Sequence, residues 1–108
     1  MAVLAIDFDH TLVDGDKPLE GAREAINILR EEGHKIVIHS CNNTEWIKKV
    51  LNDNDIRFDY IWGSSSRREP KPICDIYIDD KGFRFSGSWK EDLPQILDLL
   101  KGFDNRKW

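Results

Sequence analysis

The sequence predicts an α/β fold: a parallel sheet in three layers, with helices on both faces. Three observations predict it. Val3-Leu4-Ala5-Ile6 and Ile36-Val37-Ile38 are apolar without alternation, as in strands buried on both sides. Stretches with helical apolar spacing alternate with such runs along the chain. The 108 residues, 40% of them hydrophobic, suit one domain spanning 1–108 and are too few for two.

Val3–Ile6 is the first strand, and Asp14-Gly15-Asp16 is a turn signal after it. From Leu19 to Glu32 the apolar positions Leu19, Ala22, Ile26 and Leu29 share one helical face, and Gly33 ends that helix. Lys35–His39 is the second strand. Asn42 or Asn43 can cap the next helix, which runs to Asn52 with Trp46, Ile47, Val50 and Leu51 inward. Phe58–Trp62 is a third strand. Residues 63–72, with three serines, two arginines and two prolines, form a loop. Asp75–Ile78 is a fourth strand and Phe83–Phe85 a short edge strand. A last helix, Leu93–Lys101, turns Leu93, Ile96, Leu97 and Leu100 inward.

Charge and composition exclude several function classes. Sixteen basic against twenty acidic residues give a net charge of −4, which leaves no general footprint for a nucleic-acid backbone. No apolar run approaches the ~20 residues of a membrane span. The apolar start Ala2–Ile6 has no basic flank and meets Asp7 too early for a signal peptide, so a cytoplasmic location and no membrane partner are expected. Two cysteines, Cys41 and Cys74, make no disulfide framework and read as reduced and mostly buried. His34 and His39 read as structural or surface residues, without metal-ligand spacing.

In open parallel sheets ligands bind beyond the carboxyl ends of the strands. Asp7-Phe8-Asp9-His10-Thr11 follows the first strand, Ser40 the second and Asp79-Asp80 the fourth, with Lys71 in the loop before it. Each is ordinary alone: an acid at a strand end is often a turn residue, and a lone Ser or Lys is usually solvated. Together they place four carboxylates at one edge. Such crowding is tolerated when a cation sits among the charges, and all-oxygen ligands select a hard ion, Mg²⁺ foremost. A Lys and a Ser hydroxyl beside it suit phosphoryl oxygens. One carboxylate can attack phosphorus while the other handles the leaving-group proton.

In order and spacing, Asp7-Phe8-Asp9-His10-Thr11-Leu12, Ser40, Lys71 and Asp79-Asp80 resemble the haloacid dehalogenase (HAD) superfamily, over essentially the whole chain. Lys71 to Asp80 also looks like small phage- and bacteria-associated members. The resemblance implies a Rossmann-like sheet and a Mg²⁺-dependent phosphatase. Asp7 would be the nucleophile that forms an aspartyl-phosphate, and Asp9 the general acid and then base. The Asp7 carboxylate, the Asp9 carbonyl and Asp80, with Asp79 beside it or in an outer shell, would hold the metal. Ser40 would donate to a phosphoryl oxygen, Lys71 would neutralise charge, and Thr11 would hold the loop by local hydrogen bonds. The acid at Asp9 favours phosphate over carbon–halogen chemistry.

One departure stands out. Relatives often carry Gly where this chain has His10, so the loop is expected to be less open, with His10 a candidate substrate contact. Arg67, Arg68, Arg84 and Trp89 are weaker candidates of the same kind. Neither inter-motif gap has room for a cap domain. An open site suits a large phosphorylated substrate, a phosphoprotein or a nucleic-acid end, or a cap supplied by a second copy of the chain. Two alternatives to a phosphatase fit the same residues: a receiver-like phosphoacceptor, whose motifs would come in a different order, and a HAD-like binding module without activity.

Overall fold

The computed structural model describes residues 1–62, 74–78 and 85–101. In chain order the elements are β1 (Val3–Asp7), the two-residue strands β2 (Val13–Asp14) and β3 (Lys17–Pro18), α1 (Ala22–Glu31), β4 (Lys35–His39), α2 (Thr44–Asp53), β5 (Tyr60–Trp62), β6 (Ile76–Ile78) and α3 (Trp89–Leu100). Four of the strands form a parallel sheet of order β5-β4-β1-β6, an α/β, Rossmann-like arrangement. The chain leaves β1 toward β4 and β5 on one side and returns to β6 on the other. The strand order therefore reverses at β1, which makes the carboxyl end of β1 the point where such sheets bind ligands.

Alternation within the strands divides the sheet into two faces. Leu4, Ile6, Ile36, Ile38, Ile61 and Ile78 form one contiguous core with the inward residues of all three helices: Ala22, Ala25, Ile26 and Leu29 of α1, Ile47, Val50 and Leu51 of α2, and Trp89, Ile96 and Leu100 of α3. Val3, Ala5 and Val37, on the opposite face, are also buried. That double burial is why β1 and β4 read as unbroken apolar runs.

The amino-terminal edge of the sheet is locked by side chains. Asp75, immediately before β6, donates its backbone N–H to the Val3 carbonyl (2.8 Å) and accepts the Val3 N–H on Oδ2 (2.9 Å). Asp59, immediately before β5, does the same to Ile36, at 2.8 Å both ways, and pairs with Arg30 at 2.7 Å. His34, just before β4, accepts the Ala2 N–H on Nδ1 at 3.0 Å, which confirms it as a structural histidine. β4, β5 and β6 are thus each preceded by a polar side chain that fixes the register against a neighbouring strand. Asp75→Ala leaves the buried Val3 N–H without this acceptor and should cost about 1–3 kcal/mol, read as a lower urea midpoint. Asp75→Asn, which keeps an acceptor oxygen, should lose less.

Several sequence expectations are corrected. The first helix begins at Ala22 rather than Leu19, because Gly21 is left-handed (φ 82°) and breaks the helical run; Leu19 packs on the core from the preceding turn. The last helix begins at Trp89, capped by Ser88, whose hydroxyl accepts the Glu91 N–H at 3.3 Å. Trp46 is not an inward residue but 40% exposed. At ~100° per residue it lies about 90° from the centre of the Ile47–Val50–Leu51 face, and only its reach brings it edge-on to Phe8 (5.6 Å). Cys41 is exposed and Cys74 half-buried, and the two are not joined by a disulfide. The β2–β3 hairpin around Gly15 is an element that the turn signal alone did not reveal; the Asn54 side chain, just past α2, donates to the Asp16 carbonyl at its tip (3.2 Å). Of the expected edge strand, residues 83–84 lie outside the described residues and Phe85 is not in a strand. Among the described residues no helix is long and apolar enough to cross a membrane.

Candidate active site

Asp7 is the last residue of β1, in register with His39 at the end of β4. The next residue, Phe8, alternates inward and is fully buried against the edge of Trp46, so Asp7 and Asp9 flank a core anchor. Around that anchor the chain closes a tight loop. The Phe8 carbonyl accepts N–H groups from Leu12 (3.1 Å) and Val13 (3.3 Å), and His10 N–H donates to the Val13 carbonyl (2.8 Å). The buried Thr11 takes part through its carbonyl, which accepts the indole Nε1–H of Trp89 at 2.9 Å across the molecule. Trp89 itself is 1% exposed, which removes it as a substrate contact.

His10 stands at the apex with φ 62°, the left-handed region that a glycine occupies without a Cβ penalty. Histidine tolerates it better than most residues, and the imidazole is exposed, 4.0 Å from Asp14. His10→Gly should relieve about 1–2 kcal/mol of backbone strain and give back about 0.5–1 to unfolded-chain freedom. The net expectation is a small stabilisation, about 0.5–1 kcal/mol, seen as a higher urea midpoint, whereas His10→Val should lower it.

Ser40 follows β4, is 8% exposed, and donates its backbone N–H to the Trp62 carbonyl (3.2 Å), which ties the loop to the end of β5. Its hydroxyl donates to Asp9 Oδ2 at 3.4 Å and accepts the Asn42 backbone N–H at 3.0 Å. The Asn42 side chain then closes the ring, its Nδ2 donating to the same Asp9 Oδ2 at 2.7 Å. The amide can face the carboxylate only with its NH₂ group, since the oxygen would meet a second acceptor. Asn42, named from the sequence only as a possible helix cap, is thus a further residue of this cluster. Of the two candidate caps, Asn43 takes the role, accepting the Trp46 N–H at 3.1 Å.

The structure thus brings together Asp7, Asp9 and Ser40 at the carboxyl edge of the sheet, with Thr11 and His10 in the loop between them. Lys71, Asp79 and Asp80 lie outside the described residues, as do Arg67, Arg68 and Arg84; Asp79 follows directly on Ile78, which pairs with Ile6 of β1. Among the described residues no three His, Cys, Asp or Glu side chains cluster closely enough to hold a metal by themselves. The donors that the resemblance assigns to a metal here, the Asp7 carboxylate and the Asp9 carbonyl, are oxygens only, a chemistry that fits a hard divalent cation.

The model of the haloacid dehalogenase-like hydrolase family matches residues 4–64, more than half of the sequence. The chain belongs to the haloacid dehalogenase-like hydrolases. The matched region holds Asp7, Asp9, Ser40 and Asn42. A solved structure from Bacteroides thetaiotaomicron, a conserved protein coded by a locus of that organism, superposes over 99% of this chain and 98% of its own, with TM-score 0.70 and 18% identity. At that identity the likeness concerns the fold, shared by a chain of nearly the same length. No curated protein matches this sequence.

Proposed function

We propose that this hydrolase is a Mg²⁺-dependent phosphomonoesterase working through Asp7. The observation that carries the reading is the pair of acids at the switch point of the sheet, Asp7 ending β1 and Asp9 on the loop that follows, the second held from across the strand gap by Ser40 and Asn42. A nucleophile needs a partner that is fixed in place and able to move a proton, and Asp9 is so fixed.

A carboxylate oxygen of Asp7 attacks the phosphorus of a phosphomonoester. The P–O bond to the leaving group breaks, and Asp9 gives its proton to the departing oxygen. Asp9 then takes a proton from water, whose oxygen attacks the phosphorus of the aspartyl-phosphate. The Asp7 carboxylate and inorganic phosphate are released. Ser40 donates its hydroxyl to a phosphoryl oxygen, and Lys71 balances the added negative charge. The Asp7 carboxylate, the Asp9 carbonyl and Asp80, with Asp79 nearby, would hold Mg²⁺, which supplies charge neutralisation for the phosphoryl group. The fold without a cap leaves the substrate class as wide as a phosphorylated small molecule, protein or nucleic-acid end.

Hydrolysis of para-nitrophenyl phosphate with and without Mg²⁺, in wild type and Asp7→Asn, tests the reading. Metal-dependent turnover lost in the variant is the expected result. Equal turnover in both proteins removes Asp7 from the chemistry. No turnover across a broad phosphate panel returns the chain to a HAD-like binding module.

A further inference from the structure

We infer that Asn42 is a positioning residue that assigns the two oxygens of Asp9 to different tasks, an inference that rests on the phosphatase reading above. Asp9 Oδ2 accepts both hydrogen bonds described for this carboxylate, from Asn42 Nδ2 at 2.7 Å and from Ser40 Oγ at 3.4 Å. With Oδ2 so engaged, Oδ1 is the oxygen that exchanges a proton with the leaving group and with water.

The two donors differ in what they can keep doing. A serine hydroxyl carries one proton, and in the proposed reaction that proton is needed by a phosphoryl oxygen. Once substrate binds, the longer Ser40 contact to Asp9 must be given up. The Asn42 amide has no competing demand in the chemistry, so it holds Asp9 alone. Asn42 also donates its backbone N–H to Ser40 Oγ at 3.0 Å, which fills one acceptor site of that hydroxyl and helps aim its proton. One residue thus fixes both partners of the phosphoryl group. Asn43, its neighbour, is occupied as the cap of α2 and is the natural control.

The role is separable from a structural one by the leaving group. An alkoxide must be protonated as it departs, and a dinitrophenolate need not be. kcat/KM reports the steps up to the aspartyl-phosphate, so it isolates the acid role of Asp9 from its later role as base. Asn42→Ala should lower kcat/KM for an alkyl phosphate by about 10- to 100-fold and for dinitrophenyl phosphate by no more than about threefold. Asn43→Ala should change both by the same factor. Independently of turnover, the Asn42 side-chain amide signal in the ¹H–¹⁵N spectrum should shift in Asp9→Ala. Wild type active on both substrates, with equal losses in Asn42→Ala or none, overturns the inference while leaving the phosphatase intact. An unmoved amide signal does so as well. A wild type inactive on both esters sinks the phosphatase and the inference with it.

Discussion

Asp7→Asn should reduce phosphomonoester hydrolysis by at least about 10³-fold, the scale on which losing a covalent nucleophile is felt when binding and electrostatic groups stay in place. The substitution is isosteric, so β1 keeps its register, with residue 7 opposite His39. It also removes one of two carboxylates separated by a single residue, which eases repulsion. Stability measured by urea unfolding should therefore be unchanged or slightly higher while activity vanishes. That opposition between the two readouts separates a chemical role from a packing role. A core residue would lose both together, and a solvated turn residue would lose neither. Asp9→Asn should also be inactive in turnover, for a different reason: it retains the nucleophile but has no proton to give. With an activated ester, Asp9→Asn should still form the aspartyl-phosphate and release one equivalent of phenolate in a burst, and Asp7→Asn should not. Equal bursts in both variants would place the attacking group elsewhere.

How far the sequence carried these conclusions depended on how many jobs each residue could hold. β1 and β4 were legible because Leu4, Ile6, Ile36 and Ile38 face the helices while Val3, Ala5 and Val37 are buried on the other side, and a short run rich in β-branched residues and buried on both faces suits a central strand. Helix starts were less legible. The last helix, expected from Leu93, starts one turn earlier, where Ser88 and Glu91 carry the Ser-x-x-Glu signature. Gly21 hid the true start of α1, because a left-handed residue inside an apolar period is visible only in the backbone. In the site, the placement of Asp7, Asp9 and Ser40 was legible because each, ordinary alone, follows or ends an apolar strand, and β1 and β4 pair in parallel, which brings those ends to one edge. Asn42 was not. An asparagine before a helix reads as a cap, and two in a row compete for that role. The choice is made by Asp9, thirty-three residues earlier, whose carboxylate needs a donor. His10 shows the converse: sequence marked it as unusual for the turn, and the structure gives the reason in its positive φ.

Trp89→Ala should be the most destabilising single substitution at the site's periphery, by about 3–5 kcal/mol. The ring is 1% exposed, its centroid lies 5.0 Å from that of Phe85, and its Cβ sits 3.3 Å from the position a Cβ on Gly21 would take, so it fills the junction of α3 with the start of α1. Against a total stability of about 5–15 kcal/mol, the loss would leave a protein that unfolds at low urea or expresses poorly. Trp89→Phe is the informative companion. It keeps most of the apolar ring but lacks the Nε1–H that the Thr11 carbonyl accepts, and should cost nearer 1–3 kcal/mol. That carbonyl belongs to the loop that carries Asp9, two residues from the acid. If the indole bond steadies the loop, Trp89→Phe should also lower kcat by a few-fold while KM changes little, because the loss falls on the placement of the acid rather than on substrate binding. The last helix would then serve the active site from the far end of the sequence, through one hydrogen bond spanning seventy-eight positions. An unchanged kcat in Trp89→Phe, at a temperature where the variant is fully folded, would confine Trp89 to the core.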